Sequence, residues 1–309
     1  MIMRRIIIVF SLLVCCVTTS GQTSRSEIYE QKYDLLVSKF GPAGVGVETV
    51  LDNWEKVDST NVRLMLARFE LLFEKSRSTK VVSRSEKKYL GMEPLLTLKD
   101  STGVDIYYYQ ESEFDDALYG QAVQALDKAI GTWPDKLDLR FVKANAYIAY
   151  EKESPDMALA YLVDLAALDA MRNRPWTYGG EDVSEDFFAG ALQEYCYTFF
   201  NIGTDSSMNA FRSLSEVMLE HYPENPGFLN NIGSYHLSKA DYKTARKCYS
   251  KVLKKHPDDL VAIKNSLIIA RRTKDLKFEK KCLGWMVRYG EETDKAAAQA
   301  RLSALEKER

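Results

Sequence analysis

From residue 24 onward the apolar positions recur three and four apart, the spacing that gathers side chains on one side of an α-helix. In residues 27–40, Ile28, Tyr29, Leu35, Leu36 and Phe40 share a face. Gly41-Pro42 closes the segment, because glycine relaxes the backbone and proline forbids continuation. The same spacing predicts helices over 47–57 and 61–75, the second with a broad stripe of Val62, Leu64, Leu66, Phe69, Leu71, Leu72 and Phe73. Between 76 and 114 the period changes. Leu95-Leu96-Thr97-Leu98 and the run from Val104 to Tyr109 are rich in aliphatic, β-branched and aromatic residues around a turn-forming cluster ending in Gly103. This predicts a β-hairpin over about 94–109, packed on the helices because an isolated hairpin is marginal in water. Beyond Phe114 helical spacing returns, with breaks at Trp133-Pro134, Ser154-Pro155, 173–184, Gly203-Thr204-Asp205, 222–226 and His256-Pro257. Residues 292–309, rich in Ala and charge, read as a terminal capping helix.

The breaks delimit helix pairs, and the clearest pair covers 226–257. It reads Leu229-x2-Ile232-Gly233-x2-His236, then Ala245-x3-Tyr249-x2-Val252-x4-Pro257. The second-helix spacing returns as Ala122-x3-Leu126-x2-Ala129-x4-Pro134, as Ala158-x3-Leu162-x2-Leu165 and as Ala210-x3-Leu214-x2-Val217. Ala144-x2-Tyr147 matches the first-helix element, and a degenerate pair covers 260–289. The pattern resembles the tetratricopeptide repeat, in which small residues let two helices approach closely and larger neighbours fill the groove to the next pair. Leu229, His236 and Val252 depart from it. The resemblance implies an all-α fold, a right-handed superhelical solenoid of α-hairpins with the β-hairpin inserted in it. The expected organisation is a signal peptide over 1–21, N-terminal helices and the hairpin over 22–113, repeats over 114–291 and the cap over 292–309. The helix at 61–75 is expected to partner the one carrying Ala122, with the hairpin inserted between them.

Composition sharpens the compartment more than the chemistry. In residues 1–21, Arg4 and Arg5 precede an apolar run over 6–17, too short to span a bilayer, and then small residues suited to cleavage before Gln22. The expectation is export to the periplasm or cell envelope as a soluble chain. Leu-x-x-Cys around Cys15 and Cys16 loosely resembles a lipoprotein box, so a lipid anchor at either cysteine is the alternative N-terminus. Three scattered cysteines remain, Cys196, Cys248 and Cys282, too few for a disulfide framework. Cys248 and Cys282 stand one repeat apart, which places them on neighbouring helices roughly 10 Å apart, beyond the roughly 7 Å that a disulfide spans. With 42 basic and 44 acidic residues the net charge is −2 and there is no long Lys/Arg run. This balance predicts no strong field for nucleic acid or an anionic membrane.

Signatures of catalysis are missing from the sequence. The three histidines, His221, His236 and His256, fall at helix ends or a packing position, and there is no His-x-x-x-His, Cys-x-x-Cys, Gly-x-Ser-x-Gly or phosphate-loop spacing. Gly41–Gly46 follows a helix and reads as an interhelix turn. Asp115-Asp116 and Asp258-Asp259 read as helix starts. No cofactor or metal is expected, and the chain is expected not to be an enzyme. Two surfaces remain for recognition. By resemblance, the inner face of the superhelix carries Asn230, Ser234, Leu237 and Ser238 in the best repeat and Phe141 and Asn145 in an earlier one. The family's carboxylate clamp wants a basic residue where Asn230 and Phe141 stand, which argues against capture of a C-terminal carboxylate. The loop 174–180 offers Trp176 and Tyr178, expected to be exposed. The leading expectation is a non-enzymatic scaffold holding a protein or peptide in its groove. The alternative is a glycan- or nutrient-binding accessory protein that uses the exposed aromatics of that loop and Tyr107–Tyr109.

Overall fold

The computed structural model describes residues 24–172 and 175–307. The expected signal peptide, Cys15, Cys16 and Arg174 lie outside them. Thirteen helices and two small antiparallel sheets account for the regular structure of the described residues. The described residues divide into two compact units, one of residues 24–152 with 175–184, the other of residues 153–172 with 185–307.

The first unit begins with α1 (Arg25–Phe40), α2 (Val47–Glu55) and α3 (Val62–Ser76). Ser24 starts α1 through a capping box with Glu27, and Asn61 caps α3 by accepting from the amides of Arg63 and Leu64. The inward faces of these helices bury Tyr33, Val47, Leu51, Trp54, Leu64, Ala67 and Leu71. Chain direction then reverses through β1 (Arg77–Arg84), β2 (Leu96–Lys99) and β3 (Asp105–Phe114), paired antiparallel in the order β1-β3-β2. The helices α4 (Asp116–Thr132) and α5 (Leu137–Glu151) follow, and Asp115 caps α4 by accepting from Leu118 N–H. α3 packs on α4 across Met65, Leu66, Phe69, Ala122, Leu126 and Ala129. The helix at 61–75 is therefore the partner of the one carrying Ala122, with strand structure inserted between them.

The sheet differs from the expectation in two respects. It has three strands, because β1 runs directly out of α3 and pairs with most of β3, from Arg77 opposite Phe114 to Arg84 opposite Tyr107. Only its base packs on the helices, where the Phe114 ring lies 5.4 Å from Phe73, 5.5 Å from Tyr119 and 5.8 Å from Tyr150. Farther out the sheet supports itself. Tyr89, from the β1–β2 connection, packs 5.4 Å from Tyr109, Arg84 pairs with Glu111 at 2.8 Å, and Tyr109 Oη donates to the Glu86 carbonyl. The opposite face leaves Val81, Leu96 and Leu98 exposed.

The second unit is entirely helical among the described residues: α6 (Asp156–Ala170), α7 (Glu185–Ile202), α8 (Asp205–His221), α9 (Pro226–Ser238), α10 (Tyr242–Lys255), α11 (Leu260–Arg272), α12 (Leu276–Tyr289) and α13 (Glu292–Lys307). Its helices pack chiefly on helices one or two away in sequence. The pairs α9–α10 and α11–α12 repeat with a 34-residue period. Asn225 and Asp259 cap the first helices, and Asp241 and Asp275 cap the second. The intervening turns place Ala240 and Lys274 at φ 59° and 56°. The same turn chemistry thus recurs at the same step, which makes the unit helical-repeat-like. One core of Ala245, Tyr249, Val252, Ile263, Ile269, Phe278, Cys282, Leu283 and Met286 runs through both pairs.

Candidate functional site

Helix α9 carries four of the residues expected to face a partner, and its position is set by a close approach. An added Cβ on Gly233 would stand 2.6 Å from the Tyr249 ring of α10, so only glycine lets the two helices come this near. Ala245, fully buried, sits in the same seam. Tyr249 is fully buried, shares a 3.1 Å hydrogen bond with Ser234, and its phenol is pushed up to about 12 by burial.

The polar residues of α9 are largely engaged in holding neighbours. Asn230 Nδ2 donates to both carboxylate oxygens of Asp259, at 3.1 and 3.0 Å, while Asp259 caps α11 through Ala262 N–H. Asn231 and Gln193 of α7 exchange two hydrogen bonds of 2.9 Å, and Asn231 also donates to Ser215 Oγ of α8. Ser215 in turn touches Cys196, whose thiol burial pushes up to about 12. Ser238 is exposed but donates to the carbonyl of Tyr235, and Leu237 packs half-buried on the core. Sequence reasoning treated Asn230 as a groove residue. The structure makes it the brace between α9 and α11, at 7% exposure.

α9 lies between α7 and α11 and contacts both. On those two helices the structure exposes apolar side chains that the sequence analysis did not single out: Tyr197 and Phe200 on α7, Val261 and Ile268 on α11. The signal that could have found them is the helical wheel of each first helix, on which Val261 and Ile268 fall seven apart, opposite Ile263 and Ala270. Ile268 stands 34 residues after Ser234 and so takes the equivalent position on α11, while Phe200 lies 5.3 Å from Phe211 of α8.

The other four candidates belong to the first unit. α5 carries Phe141 and Asn145 one turn apart, and the Phe141 ring lies 6.2 Å from Tyr178. Residues 175–184 form a tight hairpin, β4 (Thr177–Tyr178) and β5 (Glu181–Asp182), turned at Gly179 and Gly180 with φ 60° and 93°. Thr177 N–H donates to the Asp135 carbonyl and ties the hairpin to the start of α5. The expectation of exposed aromatics fails at Trp176, which is 2% exposed with the Arg140 guanidinium 5.0 Å over its ring. It is a packing residue, and the sugar-platform reading loses its principal side chain. Tyr178 is half-buried against Phe141, and Tyr109 is buried in the sheet.

Cys196, Cys248 and Cys282 are all free thiols. Among the described residues no group of three His, Cys, Asp or Glu side chains could hold a metal ion, and no helix is long and apolar enough to cross a membrane. The chain matches no family model and no curated protein.

Proposed function

We propose that this chain is a tetratricopeptide-repeat-like scaffold, exported to the cell envelope, that holds an extended protein segment along the first-helix row of its second unit. The observation that carries the reading is the 34-residue recurrence of caps and turns, together with the close seating of Gly233 on Tyr249. Stacked α-hairpins leave an extended surface suited to an elongated partner. The partner's apolar side chains would meet Tyr197, Phe200, Val261 and Ile268, and its backbone the hydroxyls of Ser234 and Ser238. The scaffold acts by binding alone, without catalysis. Crosslinked affinity capture from envelope extracts, run in parallel with Phe200→Glu and Ile268→Glu chains, tests it. A partner retained by the parent chain and lost from both variants, with helical circular dichroism unchanged, is the expected result. Recovery of no protein above background, or of the same proteins with the variants, refutes the reading.

A further inference from the structure

The nearly balanced charge of the chain conceals a strong local excess. Residues 239–290 hold fifteen Lys and Arg against five Asp and Glu, in a chain whose net charge is −2. Some of these cations are committed: Lys239 to Asp205, Arg246 to Asp275, Lys255 to Glu224, Lys264 to Asp294 and Arg271 to Glu279. Of the others, seven stand exposed on α10 and α12 without an ion pair among the described residues. They are Lys243, Lys247, Lys251 and Lys254 on α10, and Lys277, Lys281 and Arg288 on α12.

Their placement is regular. At about 100° per residue, the four lysines of α10 form one stripe opposite its buried residues Ala245, Tyr249 and Val252. Thirty-four residues later Lys277, Lys281 and Arg288 occupy the same stripe of α12, with Trp285 in the place of Lys251. Arg246 joins the two helices: its guanidinium lies 3.7 Å over the Phe278 ring and 2.9 Å from Asp275. Lys281 lies 4.8 Å over Trp285, so the indole sits among the cations.

We propose that this face of α10 and α12 docks on an anionic phospholipid surface. The face lies on second helices, so it does not rest on the groove reading. Lysine supplies six of the seven cations. Protein–protein interfaces are depleted in lysine, whereas polybasic membrane-docking surfaces are built from point charges attracted to a diffuse negative layer. A half-buried Trp beside lysines is the aromatic type that settles at the headgroup level. The lysine stripes of these two helices offer nucleic acid no row of stacking aromatics.

Vesicle co-sedimentation of the full chain tests this, with vesicles of phosphatidylcholine alone and with one quarter phosphatidylglycerol. An apolar or acylated N-terminus would add to both alike, so the difference between them is the readout. The expected result is tighter binding to the anionic vesicles, abolished at high salt because surface charges are screened within about 10 Å even at moderate ionic strength. Replacing Lys243, Lys247, Lys277 and Lys281 together by Ser is expected to weaken it by about fivefold per residue. The corresponding Lys→Arg chain should bind as the parent does, and Lys87→Ser/Lys88→Ser in the other unit should change nothing. Equal binding to both vesicle types, or full retention by the Ser variant with its helicity intact, overturns the proposal. So does a chain that ignores anionic vesicles but binds duplex DNA or polyglutamate through the same lysines.

Discussion

At Gly233 two opposing effects meet, and their magnitudes decide the outcome. Alanine favours a helix interior by about 1 kcal/mol over glycine, but a methyl here would press the ring of a fully buried Tyr249, and overpacking costs about 1–3 kcal/mol. Gly233→Ala is therefore expected to destabilise the protein by about 1 kcal/mol in urea unfolding. Gly284 of α12 is the internal control, since an added Cβ meets nothing within 4 Å. Gly284→Ala is expected to stabilise by about 0.5–1 kcal/mol. Equal signs for the two would contradict the close seam between α9 and α10. The small residues of that seam were legible through the resemblance to the tetratricopeptide repeat, whose pattern sets small residues where Gly233 and Ala245 stand. The role of Asn230 was not. An amide on a first helix reads as solvent- or ligand-facing until Asp259, 29 positions later, is seen to accept from its Nδ2 through both carboxylate oxygens. Trp176 was misread for a similar reason: nothing local marks Arg140, which covers its ring.

Caps carry the element-scale energetics. Asp259 both starts α11 and receives Asn230, so Asp259→Ala removes a cap worth about 1 kcal/mol and leaves a buried amide donor unmet. A loss of about 2–3 kcal/mol in unfolding free energy, read from urea denaturation, is expected, and a loss under half of that would mean Asn230 finds another acceptor. The neighbouring caps also predict a pH dependence. The Thr244 hydroxyl and amide hold the Asp241 carboxyl below its usual range, and the Phe278 amide together with Arg246 does so for Asp275. A carboxyl depressed in the folded state stabilises above its unfolded pKa and loses that contribution as pH falls through the folded value. Stability should accordingly hold from neutral pH to about 4 and decline below it. Asp275→Asn, which can still cap, should flatten that decline. Asp115, Asp259 and the turns after Phe40 and Thr132 were readable because cap and turn residues act locally. Strand β1 was not, since Ser78 to Arg84 alternates weakly and leaves Val81 exposed; its conformation comes from β3 alongside it.

Across the whole chain, a sum of −2 was read as the absence of a field, but a sum has no position. The seven unpaired cations of α10 and α12 share one stripe only because 34 residues return each side chain to the equivalent face. That information is in the sequence, yet it becomes visible only once the register is known. The same register governs how the second unit should open. Its helices pack mainly on near neighbours, so the energy of each is set by the helices beside it and the ends should fray before the middle. Two buried thiols report on this, Cys196 in α7 and Cys282 in α12, each held unreactive by burial with its thiol pushed up to about 12. Among the described residues α13 follows α12, and it buries little more than Ala298 and Leu305. With maleimide labelling followed peptide by peptide by mass spectrometry, the partly exposed Cys248 should react first, and Cys196 and Cys282, each one helix in from an end of the unit, should follow. Gly284→Ala should slow Cys282 while leaving Cys196 unchanged, because it strengthens one helix of the row. Identical rates for Cys196 and Cys282 in both chains would mean that the unit opens in a single step, with every helix pair coupled to all the others.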